Sequence, residues 1–539
     1  MKKIKFIFAI IALIAFSFQG CKKADEVLPD PYADAKPPLG VTISQTDIPV
    51  PAIGLVGTTV TIKATGFDKY KDQLSFMFNG EKAEVVSVTA TEIKVKVPES
   101  GSTGVTSIAI GDQLFIGPTF TVTGLIQIDP TFKAIAGTNG YVSQVYEMLD
   151  GRAIVVGNFN NFDNKGGVVP INRIARTSID GEYDRTFRTG KGANGSLSRI
   201  LEIGGRFIIA GGFSGFNQRT ENISNITSLF TSGAIDTIKI QTKRKPTLTD
   251  TVTQKWFPKF NGGTNGFINR VYAHKGKILA TGDFRYYVKR TYDQFNYDFS
   301  RDTVILDSTE IRQILRFNLD GSLDKTFRFN TTTNKGKESA NGPIDTYMHT
   351  DAEKLEKLVV FGSFNTFDGQ PANRIVRLNP DGNIDPSFTP GSGADNTIAS
   401  CTYNTTTKKY VITGIFTQYN GKPAPGLAVL NDNGTLDETF ASSSFEGGFP
   451  GFAKQLNNGL IVVSGYFIKY NNITRNGFMV LTPTGSLAKG YNSTGPFSGS
   501  LSDVIETKSA DGKKALLLIG GFSRFDNLPY YNIIRVTIE

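Results

Sequence analysis

Short runs of β-branched and aromatic residues, each closed by Gly, Asn or Asp, fill most of the chain, and no stretch sustains apolar residues at a 3.6-residue period. This pattern predicts an all-β protein. Between residues 37 and 123 the runs alternate. Val60-Thr61-Ile62-Lys63 and Ile93-Lys94-Val95-Lys96-Val97 place every second side chain on one face, as half-buried strands do. Asn79-Gly80 supplies a hairpin turn between two such runs. Beyond residue 124 the runs are longer, continuously apolar and repeated. Seven end in Gly-x-Phe: "RAIVVGNF", "RFIIAGGF", "KILATGDF", "KLVVFGSF", "KYVITGIF", "LIVVSGYF" and "ALLLIGGF", with glycines at 157, 211, 282, 362, 414, 465 and 520.

Each run opens a unit of about fifty residues, longer in the second and third copies. An aromatic-Asn/Asp turn usually follows, as at Phe162-Asp163 and Phe367-Asp368, then a strand such as "NRIARTSI" or "NRIVRLNP". Next comes Asp180-Gly181, Asp320-Gly321, Asp381-Gly382 or Asn433-Gly434, dipeptides that favour a type I′ turn. The unit closes on Asp-x-Thr/Ser-Phe at Asp184–Phe187, Asp324–Phe327, Asp385–Phe388 and Asp437–Phe440; the copies ending at Phe260 and Tyr491 are degraded. Three turns join four short strands, and four antiparallel strands per repeat predict a β-propeller. The strand-end glycine is expected where blades converge, and the Phe after it in the wedge between sheets. The last copy stops at "NIIRVTIE" without a closing strand, whereas an orphan "GLIQIDPTF" precedes the first. Seven openings and seven closings balance if the orphan completes the seventh unit, which removes the edges of an open ring.

The best copy, "GSFNTFDGQPANRIVRLNPDGNIDPSF" (Gly362 to Phe388), resembles the delta-60 repeat. The resemblance covers about residues 125 to 539 and implies the propeller fold without implying an activity; the count of seven comes from the repeats. Residues 37–123, with "GTTVTIKATGF", "FNGEKAEVVSVTATEIKVKVP" and "TGVTSIAIG", resemble an immunoglobulin-like IPT/TIG domain, a module that mostly serves as a spacer or docking unit. The start, "MKKIKFIFAIIALIAFSFQGC", has a basic head and an apolar run from Phe6 to Phe16 that is too short to span a bilayer. Its Gly20-Cys21 end resembles a bacterial lipobox and implies cleavage before Cys21 and lipidation of that thiol. Asp25 and Glu26 then resemble the surface-export signal of Bacteroidetes lipoproteins. The expected organisation is a signal peptide (1–20), a polar tether (21–36), an IPT/TIG-like domain (37–123) and a seven-bladed propeller (124–539).

The formal charge of +9 includes Lys2, Lys3 and Lys5 of the leader, and the one dense basic run is Lys243-Arg244-Lys245, which disfavours nucleic acid as a partner. Cys401 is the one cysteine besides Cys21 and is expected to pack as a small apolar residue. His274 and His349 have no metal-ligand spacing and are expected in solvated loops; no metal or cofactor is expected. No nucleophile elbow, phosphate loop or His-Glu-x-x-His occurs. The second and third units carry insertions, about Gln218 to Gln254 and Tyr286 to Glu310. Loops on a rigid scaffold tend to bind, and tyrosines supply contact area at low entropic cost. Trp256, Tyr286, Tyr287, Tyr292, Phe295 and Tyr297 are therefore the expected binding residues, against the alternative that they pack on their own sheet. The expectation is a non-catalytic lipoprotein of the outer membrane, facing the cell exterior through its anchor at Cys21. It binds a glycan or peptide or docks on a TonB-dependent transporter. A hydrolase or lyase acting on polysaccharide, and an adhesin or envelope assembly factor, are the alternatives. Cys21→Ser should release the protein from the membrane fraction, because the lipid is the one strong attachment expected; retained membrane association and an unmodified N-terminal peptide by mass spectrometry would refute the anchor.

Overall fold

A computed structural model describes residues 39–243, 252–292 and 305–539. Cys21, Phe295 and Tyr297 lie outside the described residues. Among the described residues the regular structure is strand throughout, save two short 3-10 turns at Phe67–Tyr70 and Ala352–Lys354.

The first unit is a sandwich. One sheet pairs Thr59–Thr65 with Glu92–Lys96 at its centre, and the other pairs Gly104–Ile110 with Gln113–Val122 and Leu74–Phe78. The alternation resolves as expected: Val60, Ile62, Ile93 and Val95 are buried, and they pack with Phe76, Phe78 and Phe120 of the facing sheet. Asn79 and Gly80 both take positive φ (+45° and +84°), the geometry of a type I′ turn.

Of the further sheets, seven share one pattern. Their first strands are Val142–Glu147, Ser196–Ile203, Phe267–His274, Ile344–Met348, Ile398–Asn404, Pro450–Gln455 and Ser498–Lys508. Each first strand touches the next along the chain, and the last touches the first, so these are the inner strands of a closed ring. In every sheet the Gly-x-Phe run is the second strand and pairs on both sides. Burial on both faces explains why these runs are continuously apolar. Seven apolar clusters fill the wedges, each mixing side chains of two neighbouring sheets. Phe213 sits with Ile154 and Val156 of the sheet before it, and Phe416 with Val359 and Phe361.

The closing segment is shorter than expected. In six sheets it meets the third strand through a single bridge, such as Thr177↔Tyr183 or Leu378↔Ile384, instead of forming a fourth strand. Side chains hold it. Arg176, Arg316, Arg377 and Arg535 of the third strands grip Asp184, Asp324, Asp385 and Asp129 at 2.7, 2.6, 2.7 and 2.5 Å. The same guanidinium reaches the Thr or Ser two residues on, as in Arg176 to Thr186 (2.7 Å) and Arg377 to Ser387 (3.1 Å), and lies over the Phe ring at 4.7–5.2 Å. Burial opposes ionisation of Asp184, yet the hydrogen bonds of Thr186 and the Arg176 charge outweigh it and hold its carboxyl at about 2.

The orphan segment closes the ring. Ile126–Ile128 pairs antiparallel with Ile533–Ile538, Ile126 opposite Ile538, and makes the seventh sheet the one with four strands. Asp129 then meets Arg535, and both side chains are only 1% exposed. Asp180, in the turn of the first sheet, binds the same guanidinium at 2.8 Å.

Three expectations change. The Asp-Gly and Asn-Gly pairs are not type I′ turns: Gly181, Gly382 and Gly434 have positive φ (+84°, +84°, +86°), and the residues before them do not. Gly181 donates to Ser178 O (3.0 Å), and Ser178 donates to Glu182 O (2.9 Å), a three-residue turn ending on a left-handed glycine. The glycine also makes room for a neighbour. A Cβ on Gly181 or Gly434 would lie 2.7 Å from the ring of Phe132 or Phe388, the closing Phe of the preceding sheet. Secondly, the insertion range of the second unit, Gln218 to Gln254, includes that unit's own third strand, Ile226–Leu229, so the true insertion is the hairpin of Thr237–Lys243 and Val252–Pro258. Thirdly, both histidines are buried in the sheets rather than solvated. His274 Nδ1 accepts from Arg316 at 3.0 Å, and His349 lies between Asp351 (2.8 Å) and the Tyr410 hydroxyl (2.7 Å). Desolvation lowers each imidazole from 6.5 to about 4.

The sandwich touches the ring directly. Thr474 donates to Glu81 Oε1 (2.7 Å), Thr103 to Ser493 O (2.8 Å), and the buried Arg475 to Ser100 O (3.1 Å), all through loops and a short hairpin around the sixth sheet. Burial draws the Arg475 guanidinium down to about 10.

Asp129→Ala leaves the buried Arg535 guanidinium with only the partly exposed Asp180 as its counter-charge and should cost up to about 3–5 kcal/mol, read as a fall in the urea midpoint. Asp184→Ala, whose carboxylate is 19% exposed, should cost less; equal losses would show that ring closure is not special. Stability should also fall with acidification. The unfolded chain protonates its imidazoles below about 6.5 and the folded chain only near 4, so their contribution is intact above pH 6.5 and lost as pH falls to 4. Each is worth at most roughly 3 kcal/mol. The double variant His274→Gln/His349→Gln should flatten the melting-temperature profile between pH 7 and 4, and an unchanged slope would contradict this origin.

Candidate binding site

The inner strands build a channel by a shared irregularity. In six of them the register against the second strand slips by one residue just after the residue opposite the repeat glycine: Val142/Gln144, Leu197/Arg199, Ile268/Arg270, Ile398/Ser400, Pro450/Phe452 and Leu501/Asp503. The fourth, with Asp345, runs through without a slip. This explains the glycine. A Cβ on Gly157 would sit 2.1 Å from the Tyr141 carbonyl oxygen, and the other six glycines face equivalent oxygens at 2.1–2.5 Å. The close approach is therefore within one sheet, where the first strand pairs with the second, and not between blades as the sequence implied; it occurs in the fourth sheet too, which has no slip.

The bulge also divides labour between adjacent side chains. The bulged residue turns to the next sheet: Ser143 donates to Leu197 O (2.6 Å), Ser198 to Ile268 O (2.6 Å), Asn269 to Ile344 O (3.1 Å) and Ser502 to Val142 O (2.8 Å). The residue after it lines a central cavity of about 450 Å³ in the case of Arg199, Arg270, Ser400, Phe452 and Asp503. Asp345, Lys454 and Tyr141 line it too. Arg270 holds Asp345 through two bonds (2.8 and 2.6 Å), and Lys454 holds Asp503 at 2.8 Å. Burial disfavours charge on Arg270, but Asp345 more than offsets that, and its pKa is raised. Cys401 lies in the wall as an apolar residue, its thiol pushed up by burial.

Tyr141 lines the channel, and Phe267 and Phe449 take the equivalent positions on their own strands. Tyr141, Phe267 and Phe449 each stand one residue before the strand position opposite the repeat glycine and are 45%, 38% and 42% exposed. The residue between Gly and Phe lies beside them, and a Cβ there would strike the ring: Gly521 is 2.8 Å from Tyr141 and Gly212 2.6 Å from Phe267. Bare glycine in the two Gly-Gly-Phe copies is what lets these rings lie down.

The expected binding residues fare differently. Tyr287 is 5% exposed, packs on Phe317 and donates to Gly321 O, so it belongs to the core. Adjacent strand residues face opposite ways, and Tyr286, half-buried beside Arg285, cannot share a surface with it. Tyr292 packs on Phe257 of the other inserted hairpin at 5.1 Å, and its hydroxyl accepts from Asn222 at 2.5 Å. Trp256 is 54% exposed on that hairpin. The structure thus brings Tyr292 and the Trp256 strand together, and none of these residues lines the channel. Sequence reasoning missed the channel charges. Their offset from the repeat glycine is irregular, 12 residues for Arg199 before Gly211 but 17 for Asp345 before Gly362, so no motif announces them.

Residues 357–388 and 407–440, most of the fourth and fifth sheets, match the profile described as Domain of unknown function (DUF5122) beta-propeller. The ring is a β-propeller. Residues 20–118 match a further domain of unknown function, DUF5008. No curated protein matches the chain. Among solved structures, the WD40 beta propeller domain of Doa1 is 12% identical with a TM-score of 0.40, over 77% of this chain and 97% of that one. Auxiliary nutrient binding proteins from Bacteroides ovatus (11%, TM-score 0.32, 92% of this chain and 99% of that one) and Bacteroides thetaiotaomicron (10%, 0.33, 92% and 98%) are also similar.

Proposed function

We propose that this protein is a non-catalytic binding protein held at the outer-membrane surface by lipid on Cys21, with an IPT/TIG-like domain followed by a seven-bladed delta-60-type propeller whose channel takes the ligand. One observation carries the reading. The two channel carboxylates, Asp345 and Asp503, are each engaged by a cation within 2.8 Å, whereas acid–base work on a glycan needs a carboxylate pair with distinct protonation states. A cavity of about 450 Å³ with a few convergent polar groups and aromatic side chains in its lining is instead the form of a recognition site. The sequence resemblance of the leader and of Asp25-Glu26 to surface-exported lipoproteins supports the location. On this reading a glycan or peptide is captured and passed to a TonB-dependent transporter.

Ser400→Trp places an indole in the channel and should abolish binding of whichever oligosaccharides or peptides the purified protein retains in a calorimetric screen, with the melting temperature nearly unchanged. Trp256→Ala should leave binding intact. The reverse pair of results would move the binding surface to the inserted hairpins.

A further inference from the structure

The channel holds three cations, Arg199, Arg270 and Lys454, but two carboxylates, and both carboxylates are taken by Arg270 and Lys454. Among the described residues no carboxylate pairs with Arg199. Its Nη1 donates to Ser143 O at 2.6 Å and Ser198 O at 2.7 Å, the carbonyls of two bulged residues on adjoining inner strands. Two fixed backbone acceptors on one nitrogen hold the guanidinium plane in place. Nε and Nη2 bond no described residue, and these two parallel N–H groups are one edge of the guanidinium fork, the edge that takes a carboxylate through two hydrogen bonds. Carbonyl dipoles steady the charge but do not neutralise it, so a half-buried cation here favours an incoming anion.

We propose that Arg199 is the anchor for a carboxylate on a small ligand, with the ligand body against the Tyr141 ring in the channel. This rests on the channel being the binding site. The cavity of about 450 Å³ admits a sugar acid or a short peptide C-terminus. Both present the same planar anion beside a body that an aromatic ring can cover. The propeller supplies the pre-organisation: Arg199 cannot swing away without abandoning both carbonyls, so little side-chain entropy remains to be lost on binding.

The test is calorimetric titration of the full chain with glucuronate and triglycine, each against its neutral counterpart, glucose and triglycine amide. At least one carboxylate should bind about tenfold or more tightly than its counterpart, and which one identifies the source. Arg199→Gln should remove that preference. Arg199→Lys keeps a charge without the fork and should restore only part of it, giving a second readout if the Gln variant folds poorly. Binding of neither carboxylate, or equal binding of neutral and acidic probes, overturns the inference. Carboxylate binding that survives Arg199→Gln but is lost in Ser400→Trp leaves the channel as the site and removes Arg199 from it. Binding that survives both changes overturns the channel reading as well.

Discussion

A guanidinium clasped by a carboxylate, a hydroxyl and an aromatic ring is the contact on which this ring depends. The fourth segment of most sheets makes a single backbone bridge, which is too little to hold an extended chain in register. In three of these six sheets a third-strand arginine compensates by fixing Asp, Thr or Ser, and Phe of that segment together. At Arg535 the clasp joins residues some four hundred positions apart in the chain and turns an open array into a closed one. A buried ion pair is weak evidence of stability in itself, because desolvation offsets much of the attraction. Its value here is geometric: one planar donor set accepts only one arrangement of its partners.

Closure then sets the channel. Seven inner strands meet around an axis, and the bulge gives consecutive residues separate tasks. Ser143, Ser198 and Ser502 bond the neighbouring sheet, while Gln144, Arg199 and Asp503 follow the slip. The core lies in the wedges between neighbouring sheets and draws on first, second and third strands. Phe361, Cys401, Phe452 and Leu501 serve both wall and core, whereas the charged channel side chains belong to no apolar cluster, and most of their charge is cancelled locally by Arg270–Asp345 and Lys454–Asp503. The inserted hairpins, with Phe257 against Tyr292, brace each other away from this site.

Much of the architecture was legible in the sequence because it is repeated. Gly157-x-Phe159 and its copies mark the second strands, and Asp129-Pro130-Thr131-Phe132 stands visibly before the first unit while the last ends at Ile538-Glu539. The alternation around Val60 and Ile93 likewise resolved into the sandwich. What failed was whatever depends on a neighbour or a slip. Asp180-Gly181 has the composition of a tighter turn, but Phe132 from another sheet decides its shape. His274 and His349 look polar in isolation, yet Arg316 and Tyr410 give them buried partners. Tyr286 and Tyr287 read as a patch although a strand sends them to opposite faces. Arg199 and Asp345 were invisible because a bulge and unequal hairpins erase their phase.

The closing Phe of five sheets rests on the turn glycine of the next, which means that the unit of sequence and the unit of packing are out of step by one segment. A single repeat cut from the gene carries a projecting ring without its seat and a seat without its ring. Neither half is satisfied alone, but any two copies in tandem satisfy each other, whatever their ancestry. Tandem duplication can therefore lengthen such an array one whole repeat at a time without inventing a joint. The size of the final ring is decided late, by the chain terminus that happens to arrive with a free strand.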